Sequence, residues 1–289
     1  MVTFEGEATG LLDGGQLAAR EAVREVVASG FRPLDSLLPA GGVRRGSLIE
    51  WLAGGPGAVG SMAGAGAMSL ACAVACRLGR AAAEPGTIVV VDRTGWFHPP
   101  AVLPWLGCGP DAARLVVARP AHDADEIWAI DQALRCTGVA AVLAWPRTAA
   151  SPGGDLVTGR RCAVQSWTIA MRRWQLAARS SGAVGLFVRP AAAWGEASWA
   201  EARIAVAPLP GGTLLERRLR LTRVGGAWTA GADDAAPAVD VVLDLARGMA
   251  GAMRKVIAAD AVRGFAPERG PERGPERRDT PGEVTCRAS

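Results

Sequence analysis

The chain has 289 residues and a formal charge of +4, with 49% hydrophobic and 21% charged residues; this is a globular composition on a length that allows a sizeable core. Its 32 basic residues are 31 Arg and the single Lys255, so chemistry that needs a lysine earlier in the chain is excluded, a phosphate-loop lysine included. Six cysteines at 72, 76, 108, 136, 162 and 286 form no CxxC pair and no zinc or disulfide spacing. They point to a reducing, cytoplasmic setting, and MVTFEGEATG carries acids where a secretory signal would carry basic residues.

Residues 15–28 (GQLAAREAVREVVA) have the periodicity of a short amphipathic helix and define an N-terminal helical segment, 1–28. SGFRPLDSLLPAGGVRRG is punctuated by Gly and Pro and reads as irregular. SLIEWLA (47–53) then reads as a strand, GGPGAVGS (54–61) as a Gly-rich turn and 62–79 as a helix. From Trp51 to Cys76 there is no charge, but Gly and Ala dominate, so a turn and a buried helix fit better than a membrane span. TIVVVD (87–92) is an apolar run ending in Asp, as in a buried parallel strand. A short helix or turn at 100–107, a strand at 114–120, a helix over 122–136 and a strand at 139–145 follow.

A loop rich in Pro, Gly, Ser and Thr (146–158) leads into a long helix at about 160–180. Its Val164, Trp167, Met171, Trp174 and Ala178 recur at steps of three and four, the mark of a core face. Strands follow at 183–190, 203–209 and 215–224, the last two joined by a Pro-Gly-Gly turn, and the Gly225–Gly226 turn and Trp228 extend the meander. Alternating strands and helices followed by hairpin-like strands give an α/β fold with a mainly parallel sheet and an antiparallel C-terminal extension, a core spanning 29–244. Residues 245–265 are expected to form a C-terminal helix. Residues 266–289, with three PER units and few apolar residues, are expected to be a disordered tail.

The strand–turn–helix at 47–79 is the frame of a phosphate loop, and Gly55, Gly57 and Gly60 fit its glycine positions. The motif wants Lys then Ser/Thr next; this chain has Ser61 and Met62. Backbone N–H groups could still face an anion, but the groups that neutralise the terminal phosphates and bind magnesium are missing.

Residues 29–61 resemble the opening of RecA-type ATPase cores: an SG-x-x-x-LD phrase, a GG-x-x-x-G turn, a strand and a phosphate loop. TGVAAVLAW (137–145) and MRRWQLAARSSGAVGLFVRP (171–190) resemble the RecA strand–helix–strand section. These phrases are more similar still to the ImuA family, the RecA-like accessory proteins of bacterial mutagenesis cassettes, and the resemblance covers about two-thirds of the chain, 29–225. It implies a RecA-like phosphate-loop core. Carried across, it puts the catalytic Glu at Thr94 and keeps Asp92. It puts the second strand-end Asp at Trp145 and the phosphate-sensing Asn-Gln pair at Arg189-Pro190.

The resemblance therefore implies a catalytically degenerate scaffold that hydrolyses no nucleotide and carries no cofactor. Its implied role is to support damage-induced translesion DNA synthesis as an adaptor. The implied partners are a Y-family-like ImuB protein, an error-prone C-family polymerase, RecA and DNA. Two rivals remain: an active DNA-dependent RecA-type ATPase, and a SulA-like inhibitor of cell division, which shares a reduced RecA-type core.

Between Asp155 and Arg223 there are 11 Arg against four acids, a local net of +7 that suits an acidic partner. Arg147, Arg160 and Arg161 lie in and beside the loop that contacts DNA in RecA, and Arg218 and Arg220 alternate with Leu219 and Leu221 on a strand. These five are the candidate phosphate contacts. In RTGWFHPPAVLPW (93–105), Trp96 and Phe97 sit just after a strand's carboxyl end, where a partner or base could dock. His98 and His122 have no metal-ligand spacing, Asp123, Asp125 and Glu126 read as the acidic first turn of a helix, and no G-x-S-x-G occurs.

Overall fold

The computed structural model describes residues 25–54, 66–81, 86–146, 159–226, 237–246 and 249–252, the stretches 159–166 and 249–252 as backbone. Two short strands, β1 (Val26–Val27) and β2 (Val43–Arg44), form an antiparallel pair, with helix α1 (Arg32–Leu37) between them. Then come β3 (Leu48–Ala53), α2 (Ala67–Arg80), β4 (Thr87–Val91), α3 (Leu103–Leu106), β5 (Arg114–Ala118), α4 (Asp123–Arg135) and β6 (Val139–Ala144). The chain continues through α5 (Gly159–Ser181), β7 (Val184–Pro190), β8 (Ala202–Pro208), β9 (Glu216–Gly225), β10 (Ala238–Asp244) and β11 (Met249–Ala252).

The main sheet has nine strands in the order β5–β4–β6–β7–β3–β8–β9–β10–β11. The six from β5 to β8 are parallel, and β9, β10 and β11 extend the sheet antiparallel. This is the expected α/β architecture. The strands β3, β6 and β7 are buried along almost their whole length and, apart from Glu50 and Arg189, are apolar, because helices cover both faces. One face packs Trp51, Ile88, Leu143 and Val188 against α1, α2 and α3; the other packs Val142 and Phe187 against α4 and α5. The α2 helix lies close to the sheet because its buried face is built from Ala71, Ala75, Cys72 and Cys76, with Leu70, Val74 and Leu78 filling the gaps.

The predicted stripe on α5 holds: Trp167, Met171, Trp174 and Ala178 are buried, and Trp174 packs on Phe187 with ring centroids 5.1 Å apart. Side chains of Val164, Arg160 and Arg161 lie outside the described residues, as does Trp228. Among the described residues no helix is long and apolar enough to cross a membrane; the ends of the uncharged run lie in β3 and α2.

Two expectations are corrected. Val26–Val27, placed at the end of an N-terminal helix, is a strand. Its adjacent β-branched side chains favour extended backbone, and Val43–Arg44 supplies the partner. Met249–Ala252, placed in a C-terminal helix, is also a strand: its pairing with the β10 edge overrides the helix preference of Ala and Met. Residues 1–24, residues 247–248 and 253–265 of the expected helix, and the tail lie outside the described residues. Helix α1 forms inside the segment read as irregular, with Pro33 in its first turn and Leu34 and Leu37 buried.

The phrases that open the core have local structural jobs. Asp35 accepts a hydrogen bond from the Ser29 amide at 2.9 Å, fixing the chain as it enters α1. Gly42 lets β2 lie against β1, since a Cβ there would meet the Val27 carbonyl oxygen at 2.9 Å. Gly46 turns into β3 with φ +74°, a conformation that favours glycine.

Candidate functional site at the carboxyl ends of the central strands

The carboxyl ends of β4, β6, β7 and β3 lie side by side in the sheet, the place where open α/β sheets bind ligands. Gly55, Gly57, Gly60 and Ser61 follow β3 and lie outside the described residues. Asp92, Thr94, Trp145 and Arg189 are described, and they fall into two hydrogen-bonded networks.

In the first, Asp92 is fully buried just beyond β4. Its Oδ1 accepts from the Trp96 amide (3.1 Å) and the Thr94 hydroxyl (3.2 Å), and its Oδ2 accepts from the Phe97 amide (3.0 Å). Arg119 stands 3.7 Å from Oδ2 and donates to the Phe97 carbonyl at 3.4 Å. The Trp145 indole N–H, at the end of β6, donates to the Thr94 hydroxyl at 2.9 Å. A chain of donors thus runs from Trp145 through Thr94 to Asp92, and the carboxylate clamps the 93–97 turn. Such a carboxylate is satisfied by fixed backbone donors and has little left to offer a metal ion or a water.

In the second network, Glu50 in β3 and Arg189 in β7 are both fully buried. Arg189 Nη1 donates to Glu50 Oε1 at 3.1 Å, and its Nη2 pairs with Glu196. Arg203, directly across from Glu50 on β8, donates to Glu50 Oε2 at 2.8 Å and to the carbonyls of Ala193 (2.7 Å) and Trp194 (3.1 Å). The Arg189 guanidinium lies 4.0 Å over the Trp167 ring, a cation–π contact. The four charges cancel, which makes their burial tolerable. Arg189 Nε and the Trp167 and Trp51 indole nitrogens are buried donors with no acceptor among the described residues.

Asp92 is occupied by its own turn, Trp145 presents a ring to the Thr94 hydroxyl, and Arg189 brings a positive charge that Glu50 and Glu196 balance. No cluster of three or more metal-ligating side chains occurs among the described residues.

The aromatic pair divides. Trp96 is 53% exposed, whereas Phe97 is 5% exposed and packs against Trp145 with centroids 6.2 Å apart. The reading of Phe97 as a surface contact is therefore corrected: its amide is tied to Asp92, and that bond turns the ring inward.

The basic candidates are not shown to form one patch. Arg218 and Arg220 are exposed on one face of the antiparallel extension, opposite the buried Leu219 and Leu221, as the alternation requires. Arg220 forms a bidentate pair with Asp240 at 2.8 and 3.0 Å, and that hydrogen bond and charge raise its pKa above the ordinary arginine value. Arg160 and Arg161 lie in the first turn of α5 by backbone position, and Arg147 lies outside the described residues. Two further arginines, Arg172 and Arg173, face outward from α5; Arg172 sits 5.3 Å over Trp199 and Arg173 reaches Asp131 at 3.4 Å.

The sites read as acidic helix start and lone histidines behave structurally. Asp123 and Glu126 in the first turn of α4 pair with Arg93 at 3.0 and 3.3 Å, and Glu126 is buried. His122 is the N-cap residue of α4 and makes no side-chain cap bond.

No protein-family model matches this chain, and no curated protein matches its sequence.

Proposed function

We propose that this chain is a RecA-type scaffold without nucleotide chemistry. It would act as an adaptor in damage-induced translesion DNA synthesis, with an ImuB-like Y-family protein, an error-prone C-family polymerase, RecA and DNA as partners. The pathway rests on the sequence resemblance over 29–225. The loss of chemistry rests on one observation: Thr94, Trp145 and Arg189, at the positions of catalytic Glu, strand-end Asp and phosphate sensor, are built into the two buried networks.

The strand order supports the RecA-type reading over a Rossmann one. In the common nucleotide-binding Rossmann and flavodoxin orders the first parallel strand neighbours the second. Here β6 and β7 lie between β3 and β4. The exposed Arg218, on the face of β9 opposite Leu219 and Leu221, supports contact with phosphates.

Deleting the gene and measuring damage-induced mutation frequency tests the role. Loss of induced mutagenesis, together with recovery of the two polymerase-type partners on the tagged full chain, is expected. Unchanged mutagenesis, with cells that filament on overexpression, would replace this reading by the division inhibitor.

A further inference from the structure

The outer surface of the layer formed by α4 and α5 carries large apolar side chains where polar ones would be expected. The two helices run side by side in the same direction. The Trp174 indole donates to the Ile127 carbonyl at 3.4 Å and, two turns on, the Ser181 hydroxyl donates to the Leu134 carbonyl. The inner stripe of α5, from Trp167 to Ala178, is buried in the core. On the opposite side of the same helix Ile169 and Leu176, seven residues apart, are 54% and 57% exposed. Trp128 on α4 is 64% exposed, and the two cross-helix bonds set it between the levels of Ile169 and Leu176. A single exposed apolar residue is ordinary, but a helix with an apolar stripe on each side is built to be covered on each side.

The charge around these three residues is of one sign. α5 has five arginines and no acid in its 23 residues. Arg135 donates to Asp131 at 2.8 and 3.3 Å, and Arg173 reaches the same carboxylate at 3.4 Å. Asp131 is buried beneath them, while both guanidinium side chains stay more than half exposed. Arg172 stacks on Trp199 and has no carboxylate partner among the described residues. Three guanidiniums thus stand over one carboxylate, an excess of two positive charges. The other exposed acids of α4 lie in its first turn: Asp123 pairs with Arg93, and Asp125 is about 9 Å along the axis from Asp131 at 1.5 Å per residue.

We propose that this face is a docking site for an acidic amphipathic helix of a partner protein. The seam between two parallel helices offers a groove to a third. Ile169 and Leu176 stand about 10.5 Å apart along the axis, the spacing of the i and i+7 anchors of an apposed helix, and Trp128 closes the groove from the other side. Carboxylates flanking those anchors would meet the arginines. Asp131 holds two of the guanidiniums in fixed orientation, so their free N–H edges suit directional pairing with carboxylates, whereas a bilayer asks for charge without orientation. The face stands independently of the adaptor role, and either can fail without the other.

The test is fluorescence anisotropy of a labelled synthetic peptide of about 18 residues, long enough to hold a helix when docked, titrated with the full chain. The peptide carries leucines at i, i+3, i+7 and i+10 with glutamates at the flanking positions, and its counterpart carries lysine at each glutamate. Saturable binding of the acidic peptide is expected, with none of the lysine peptide at the same concentrations. Trp128→Ala should weaken binding by about tenfold, the loss of an aromatic anchor. Ile169→Ser with Leu176→Ser should weaken it at least as much from the other helix. Arg172→Glu should weaken binding at low ionic strength and lose most of that effect at high ionic strength. All these side chains are exposed, so urea midpoints should match the parent chain, and Arg218→Ala should bind the peptide as the parent does. No saturable binding, equal binding of both peptides, or binding untouched by these variants would overturn the assignment. So would a dimer in sedimentation velocity that Ile169→Ser with Leu176→Ser dissolves, which makes the occupant a second copy. Binding to phosphatidylserine vesicles that the same variant loses would also overturn it, since the occupant would then be a membrane.

Discussion

Removing the carboxylate of Glu50 should cost more stability than any other single charge change among the described residues. Glu50 is fully buried and accepts from Arg189 at 3.1 Å and from Arg203 at 2.8 Å. In Glu50→Ala, Arg203 keeps two carbonyl acceptors and Arg189 keeps Glu196, yet the cluster holds two cations against one anion, away from water. Breaking a buried pair in this way costs about 3–5 kcal/mol. For a domain of this size that lowers the melting temperature by roughly 10 °C.

The measurement is urea unfolding followed by tryptophan fluorescence, with the denaturant slope unchanged so that the midpoint reports stability. Glu50→Leu combined with Arg189→Met should recover most of the loss, because the pair leaves together and Glu196 and Arg203 remain of opposite charge. A loss under about 1 kcal/mol for Glu50→Ala, the size expected of an exposed pair, would refute the claim that this cluster is a dry, mutually dependent unit. So would a double variant no more stable than the single one.

Other outcomes follow from the same contacts. Arg220→Ala, which breaks only the exposed pair with Asp240, should change stability by less than about 1 kcal/mol in the same urea assay. If the extension touches DNA, Arg218→Ala should lower the slope of log affinity against log salt by about one, read by fluorescence anisotropy at several salt concentrations. Trp145→Phe removes the indole donor to Thr94 and should destabilise by about 1 kcal/mol while leaving the fold intact by circular dichroism. Burial raises the thiol pKa of Cys72 well above its ordinary value and pushes that of Cys76 up to about 12, against a smaller opposing pull from Arg80. Both should resist alkylation at pH 8 while the exposed Cys108 and Cys136 react, as peptide mapping would show. Because the native thiols hold their protons where unfolded thiols lose them, stability should fall as pH rises past about 9, and this fall should shrink in Cys76→Ala.

The sheet was legible because its strands are short apolar runs that end at Gly, Pro or Asp, and the helices because their apolar residues recur at helical steps. The misreadings share a cause: the identity of Val26–Val27 and Met249–Ala252 is set by the strand each one pairs with, which local pattern does not contain. The site was legible by position and not by content. The resemblance to RecA-type cores picked out Asp92, Thr94, Trp145 and Arg189, but that a tryptophan donates to the threonine, or that Phe97 points inward, depends on the turn that Asp92 clamps. The ion cluster did leave a trace. Glu50, Arg189 and Arg203 are single charges in otherwise apolar strands, and a charge at such a place needs a partner of opposite sign. Which strands are neighbours, and therefore which charges meet, needed the register of β3 with β7 and β8.

The central proposal is that a RecA-type scaffold persists here while its chemistry has been replaced by structural networks. Magnesium-dependent ATP hydrolysis by the purified full chain, with and without single-stranded DNA, tests it most directly. The account predicts no turnover above the protein-free control under either condition. DNA-stimulated turnover that is lost on substituting Ser61 or Asp92 would contradict it and restore the ATPase.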